Sequence, residues 1–259
     1  MSELVFTDEQ LTLLATLAGE PSFPGAQAPQ LDEAGWVAVA SGLLARGVLH
    51  DDESDAEVHD SDAVLGIALF APSSLWISMS YAPGEGASRQ EILWLDGDAV
   101  VRQTRTPDGF HFFTTGDRSA VGELQASVLA FLDAVPSQSG ERGVLTEFEL
   151  EDALELLHEE GADAAVQRHP AAAGYVAALD DARCVVSVEC SRSVGDDLVE
   201  GDGLTLVDSP GHGLWLARED PWDDGPGGAV VVLQRVSAGD ARAQVAAVTE
   251  LLDAPPTES

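Results

Sequence analysis

At 259 residues the chain has room for one large domain or two modest ones, and a hydrophobic fraction of 45% marks a globular protein with a real core. It carries 46 acidic residues against 12 basic ones, a formal charge of −34, and every basic residue is Arg. That balance excludes a phosphate-binding face and opposes anionic membranes, so no nucleic-acid partner is expected; acidity alone accounts for solubility.

No apolar run approaches the roughly eighteen residues of a membrane span, and the start MSELVFTDEQ lacks a basic n-region, so a cytoplasmic chain without membrane insertion is expected. Phe6 to Leu11 reads as a helix start: Thr7 and Gln10 make a capping box, with Phe6 and Leu11 as the staple across it. The helix stops at Gly19. A second helix runs from about Asp32 to Arg46, with Trp36, Ala40, Leu43 and Leu44 on one face. Two helices before a strand resemble a winged helix, but the net charge opposes DNA binding. The acidic stretch 51–62 packs carboxylates around His59; it lacks the Gly at position six of a calcium loop and reads as a solvated linker.

From Val64 the pattern reads as strand: VLGIALF, LWISMSYA, EILWL, AVVRQT and FHFFTT, separated by Pro72, the loop Gly84-Glu85-Gly86-Ala87-Ser88, Asp96-Gly97 and Pro107-Asp108-Gly109. An antiparallel meander results. Its last strand delivers Gly116-Asp117, after which Val121, Leu124, Val128, Phe131 and Leu132 draw a helical stripe. The polar segment 136–143 is a linker. The pattern then restarts with a capping box at Thr146 and Glu149, helices through Leu179 broken at His169-Pro170, and strands at RCVVSVECS, GLTLVDS, GLWLARE and AVVVLQRVS. Turns are expected at Asp202-Gly203, Ser209-Pro210-Gly211 and the loop EDPWDDGPGG. Cys184 and Cys190 share one strand at a spacing of roughly 20 Å, too far for a disulfide.

One stretch occurs twice. Gly116-Asp117 leads to ASVLAFLDA, and Gly239-Asp240 leads to VAAVTELLDA. The echo divides the chain into an α+β half at 1–135, the linker 136–143, a second α+β half at 144–254 and a tail at 255–259 expected to be disordered. Each half reads helices, meander, helix, and the two closing helices are expected to be equivalent covers of the sheet.

Chemistry is sparse. There is no G-x-S-x-G elbow, no Lys for a P-loop or Schiff base, and no zinc-type spacing among His50, His59, His111, His158, His169 and His212, so neither metal nor cofactor is expected. His212, in a tight turn, is the best single catalytic candidate. Trp76, Trp94 and Trp215 sit in strand patterns, whereas Trp222 falls among acids and breakers, where an aromatic is a common interface anchor.

The order of elements resembles the EspG family, cytosolic chaperones of type VII (ESX) secretion. The resemblance rests on DEQLTLLATLAG, the segment ending LLARGVL, the meander around APSSLWISMSYA, and GLTLVDSPGHG with its closing helix. It implies a quasi-twofold fold and a non-enzymatic chaperone or adaptor that holds the tip of a helical, aggregation-prone PE/PPE-like substrate. By position, Gly84, Glu85, Gly86, Ala87, Ser88 and Trp222 are the candidate partner contacts. The extreme acidity and the insert at 51–62 depart from the family pattern. Two alternatives stay open: a regulator built on the winged-helix-like start, and a hydrolase using His212.

Overall fold

The structure is a computed structural model that describes residues 4–23, 25–27, 29–49, 60–71, 73–82, 88–132, 140–193, 199–225, 228–250 and 252. In chain order, the first elements are β1 (Leu4–Thr7), α1 (Asp8–Ala18), α2 (Glu33–Ala45), α3 (Asp60–Phe70), β2 (Ser73–Tyr81), β3 (Arg89–Asp96), β4 (Ala99–Arg105), β5 (Phe110–Gly116) and α4 (Ser119–Leu132). They are followed by β6 (Arg142–Thr146), α5 (Glu147–Glu159), α6 (Ala162–Arg168), a 3-10 turn (Pro170–Ala172), α7 (Ala173–Asp180), β7 (Cys184–Ser193), β8 (Val199–Ser209), β9 (Gly213–Gly225), β10 (Gly228–Arg235) and α8 (Ala238–Glu250). The fold is α+β with antiparallel strand pairing. Two compact units emerge, one made of Met1–Ser74 with Arg89–Ala120, the other of Leu75–Ser88 with Val121–Ser259.

In the first unit the strands run β1-β5-β4-β3. The Thr7 hydroxyl accepts from Gln10 N–H while the Gln10 side chain accepts from Thr7 N–H, which closes the capping box at the start of α1. Phe6 and Leu11 are both buried across it, as a staple requires. Phe6 and Phe23 each meet the Phe113 ring edge-on, at 5.7 and 5.9 Å between centroids. Three fully buried rings of this kind contribute roughly 1.5–3 kcal/mol each by area.

The second unit orders its strands β2-β7-β8-β9-β10-β6. On one face α5, α6, α7 and the 3-10 turn close over Leu145, Tyr175, Val207, Trp215, Val231 and Leu233. Gly174 permits this approach, because a Cβ there would lie 2.4 Å from the Trp215 ring. Gly143 likewise lets β6 press on the turn, since its Cβ would sit 2.0 Å from the Ala171 carbonyl oxygen. On the other face, cross-strand neighbours Val186, Leu206 and Leu216 are buried, and α8 packs over β7 and β8 with Ala241, Val245 and Val248 inward. Gln125 of α4 donates to Thr249 of α8.

Several expectations change. VLGIALF is part of helix α3, not a strand, and residues 60–62 of the acidic stretch form its first turn; 51–59 lie outside the described residues. An unbroken apolar run suits either state, and here Val64, Leu65 and Ala68 turn inward at helical spacing. Short strands β1 and β6 precede the two capping boxes, so Arg142 and Gly143, placed in the linker 136–143 from sequence, begin β6. Asp202 and Gly203 pair with Cys190 and Glu189 inside β8 rather than turning. Trp222 lies on β9, not in a loop. The doubled stretch also differs in place: Gly116 ends β5 and Asp117 stands before α4, whereas Gly239 and Asp240 are inside the first turn of α8, where Asp240 accepts from Ser237 N–H at 3.2 Å.

Candidate functional site

Of the candidate contacts the structure describes Ser88 and Trp222, which belong to the second unit and stand toward opposite ends of its strands. β2 finishes beside the start of β7, where Ala82 N–H donates to the Arg183 carbonyl at 2.9 Å and Arg183 N–H donates to the Asp208 carbonyl at 2.8 Å. The Ser88 hydroxyl accepts from Tyr81 N–H at 3.3 Å, closing the root of the connection that carries Gly84 to Ala87, which themselves lie outside the described residues. Trp222 stands toward the far end of β9, near the Gly225–Gly228 pair that closes the β9–β10 hairpin. Between that pair and Asp220–Val230, five steps of β9 oppose two of β10, so Pro221 to Asp224 form a bulge. Pro221 has no N–H for a ladder, which suits it to that position. Trp222 is nine residues along β9 from Gly213, the end nearer Ser88, which is at most roughly 30 Å at about 3.3 Å per residue.

The end that holds Ser88 is stiffened by polar contacts. Arg183 Nε donates to Asp208 at 2.8 Å, and the Asp208 carboxyl is buried. Asp181 accepts from the Ser209 hydroxyl at 3.1 Å and from Gly211 N–H at 2.9 Å. His212 donates its backbone N–H to Ser209 Oγ at 3.1 Å, while its carbonyl accepts from Trp215 Nε1 at 3.2 Å. The turn therefore uses the His212 backbone; the residue is exposed. On β7, Cys184 opposite Asp208 and Cys190 opposite Asp202 are buried thiols not joined in a disulfide, and burial, aided by Asp208 and Asp202, pushes them up to about 11 and about 12. Such thiols are poor nucleophiles at neutral pH.

Sequence reading missed a buried polar chain in the first unit. Trp94 Nε1 donates to Gln103 Oε1 at 3.0 Å, so the Gln103 amide nitrogen faces His111 Nδ1 at 2.8 Å and donates to it. That leaves the proton of the neutral ring on Nε2, which donates to Asp8 at 2.9 Å. Asp8 also accepts from Arg105 at 3.0 Å and from Gln27 N–H at 2.8 Å. Burial would raise the Asp8 carboxyl, but the hydrogen bonds from Arg105, His111 and Gln27 outweigh it and hold it below its usual value. Burial pulls His111 below its ordinary value against the attraction of Asp8. The chain presents no nucleophile: it is a fastening between α1 and the sheet. Asp8 and His111 are 103 residues apart, so no local motif announces it.

The arginines are largely committed internally. Arg46 donates to the Val5 carbonyl at 2.6 Å and lies 4.9 Å over the Phe6 ring, so the basic side chain closing α2 is spent on β1 rather than on a nucleic-acid face. Arg102, Arg105, Arg168, Arg183 and Arg218 each meet a carboxylate. Among the described residues no group of three or more His, Cys, Asp or Glu is placed to hold a metal ion, and no helix is long and apolar enough to cross a membrane.

No protein-family model matches the chain, and no curated protein matches it. Among solved structures, the Mycobacterium tuberculosis type VII secretion system chaperone EspG5, in complex with the PE25-PPE41 dimer, is similar over 96% of both chains, with a TM-score of 0.55 and 13% identity. At that identity the likeness is one of fold, and it is the EspG-like fold that the sequence implies.

Proposed function

We propose that the chain is a non-enzymatic chaperone or adaptor for a helical secretion substrate of the PE/PPE type. The observation that carries this reading is the likeness of fold along the whole chain to a chaperone captured with a PE-PPE dimer. The site geometry agrees with it in kind. Polar contacts of Tyr81, Ser88, Ala82, Arg183 and Asp208 hold the root of the segment Gly84–Ser88, which suits a segment that meets the tip of a client. We place the client tip there, beside the turn that bears His212. Trp222, at the other end of β9, meets the body of an elongated client.

The halves at 1–135 and 144–254 are read as copies of one ancestral unit with a quasi-twofold relation. Their element order supports this: short strand, capped helix, further helices, four strands and a closing helix occur twice. The chaperone is expected in the cytoplasm, before export of its client. Co-expression tests the reading: a PE/PPE pair that is insoluble alone becomes soluble and co-purifies with the chain. Replacing Gly84–Ala87 by a serine linker abolishes co-purification, and Trp222→Ser weakens it. A client equally insoluble with and without the chain removes the proposal.

A further inference from the structure

Helix α2 is apolar on all sides, with no charged side chain after Glu33, yet Leu43 is its one buried residue. A helix of that composition normally has cover all round. Besides Glu33, its exposed residues Ala34, Val37, Ala38, Ser41, Leu44 and Ala45 fall on a single face, and Ala34, Val37, Ser41 and Leu44 recur at three- and four-residue steps. Val37 is 60% and Leu44 49% exposed, and α1, which packs on α2, adds Leu17 at 61%. Steps of three and four with small and branched residues form the seam into which a second helix packs its side chains.

Among the described residues nothing covers this face. Residues 51–57 are dominated by carboxylates, and 255–259 begin with two prolines. A second copy brings another charge of −34, so self-association over this face works against a large mutual repulsion. Asp32 and Glu33 stand at one end of the stripe, and the whole chain carries a formal charge of −34, so the complementary partner is basic. We infer that this face of α2 docks an amphipathic helix of a different protein, apolar along its seam and basic on its flanks. The inference is independent of the client reading above, because α2 belongs to the first unit while Gly84–Ser88 and Trp222 belong to the second.

The probe is a synthetic helix of about three heptads with Leu at its seam and Lys on its flanks, against a control with Glu on the flanks. The reporter is an environment-sensitive dye on Ala34→Cys in the full chain, since buried Cys184 and Cys190 have thiols raised to about 11 and about 12 and stay unlabelled at neutral pH. The Lys peptide is expected to shift the dye saturably, the Glu peptide not at all, and Val37→Glu with Leu44→Glu to weaken binding by roughly tenfold or more. Adding two carboxylates strengthens a merely electrostatic association, so unchanged or tighter binding by that variant overturns the inference. So does absence of binding by the Lys peptide, or a dye shift that follows protein concentration without peptide, which identifies a second copy as the occupant. Should the double Glu variant fail to fold, Val37→Ser with Leu44→Ser carries the same expectation.

Discussion

β1 with α1, and β6 with α5, perform one task by different means. Each is a short edge strand paired with the last strand of its meander, β5 or β10, that runs through a Thr cap into a helix. The first is fastened by a buried polar chain from Trp94 through Gln103 and His111 to Asp8 and Arg105. The second is fastened by apolar packing of Leu145, Ala153, Tyr175 and Trp215, and its acid, Asp152, meets His169 and Arg168 in a far more exposed setting. Topology is repeated while side-chain chemistry is not. The same independence lets a chain at 13% identity share a fold with EspG5 along its length.

The comparison is broken most forcefully by Trp215→Ala, expected to cost the second unit about 3–5 kcal/mol in denaturant melts because the helices above it lose their central contact. Asp8→Ala comes next, at roughly 2 kcal/mol in the same melts, since it leaves the Arg105 guanidinium and the His111 Nε2–H without their acceptor at a partly buried site. Asp152→Ala, its counterpart on the exposed side, is expected to change little.

Acid sharpens the contrast. The folded His111 titrates below its ordinary 6.5, so as pH falls through 6.5 the unfolded chain takes the proton first and the first unit loses stability until the lowered value is passed. Asp8, held below 3.8, contributes above that value and adds a second loss as pH falls further. Amide protection factors, corrected for the intrinsic slowing of exchange between pH 7 and pH 5, should fall at Leu4–Thr7 and stay nearly constant at Arg142–Thr146. The smallest effect is also the most even. Thr7→Ala and Thr146→Ala remove equivalent capping boxes and should each cost about 1 kcal/mol, read from paired urea midpoints.

Both capping boxes were legible in sequence because a cap is local, a Thr and a Gln or Glu three residues on. The meanders were legible because alternation and turn residues are local too. β1 and β6 were hidden by their length: LVFT and RGVLT are too short to show a period, and they become strands through partners about a hundred residues away. VLGIALF was misread because an unbroken apolar run carries no period; the acids Asp60 and Asp62 at its start were the available helix signal. The strand carrying Trp222 was obscured by Pro221, which β9 accommodates in a bulge. Of the candidate contacts, sequence offered residue types, but the separation of Ser88 and Trp222 toward opposite ends of the strands depends on strand order.

The central claim is that this fold serves a helical client. Its most direct test is titration calorimetry with light scattering, mixing the purified chain with a soluble PE-PPE heterodimer from the same genome. The account predicts a saturable complex holding one copy of the chain per heterodimer, lost when Gly84–Ala87 are replaced by a serine linker. No heat and no complex at concentrations that keep both components folded would contradict it.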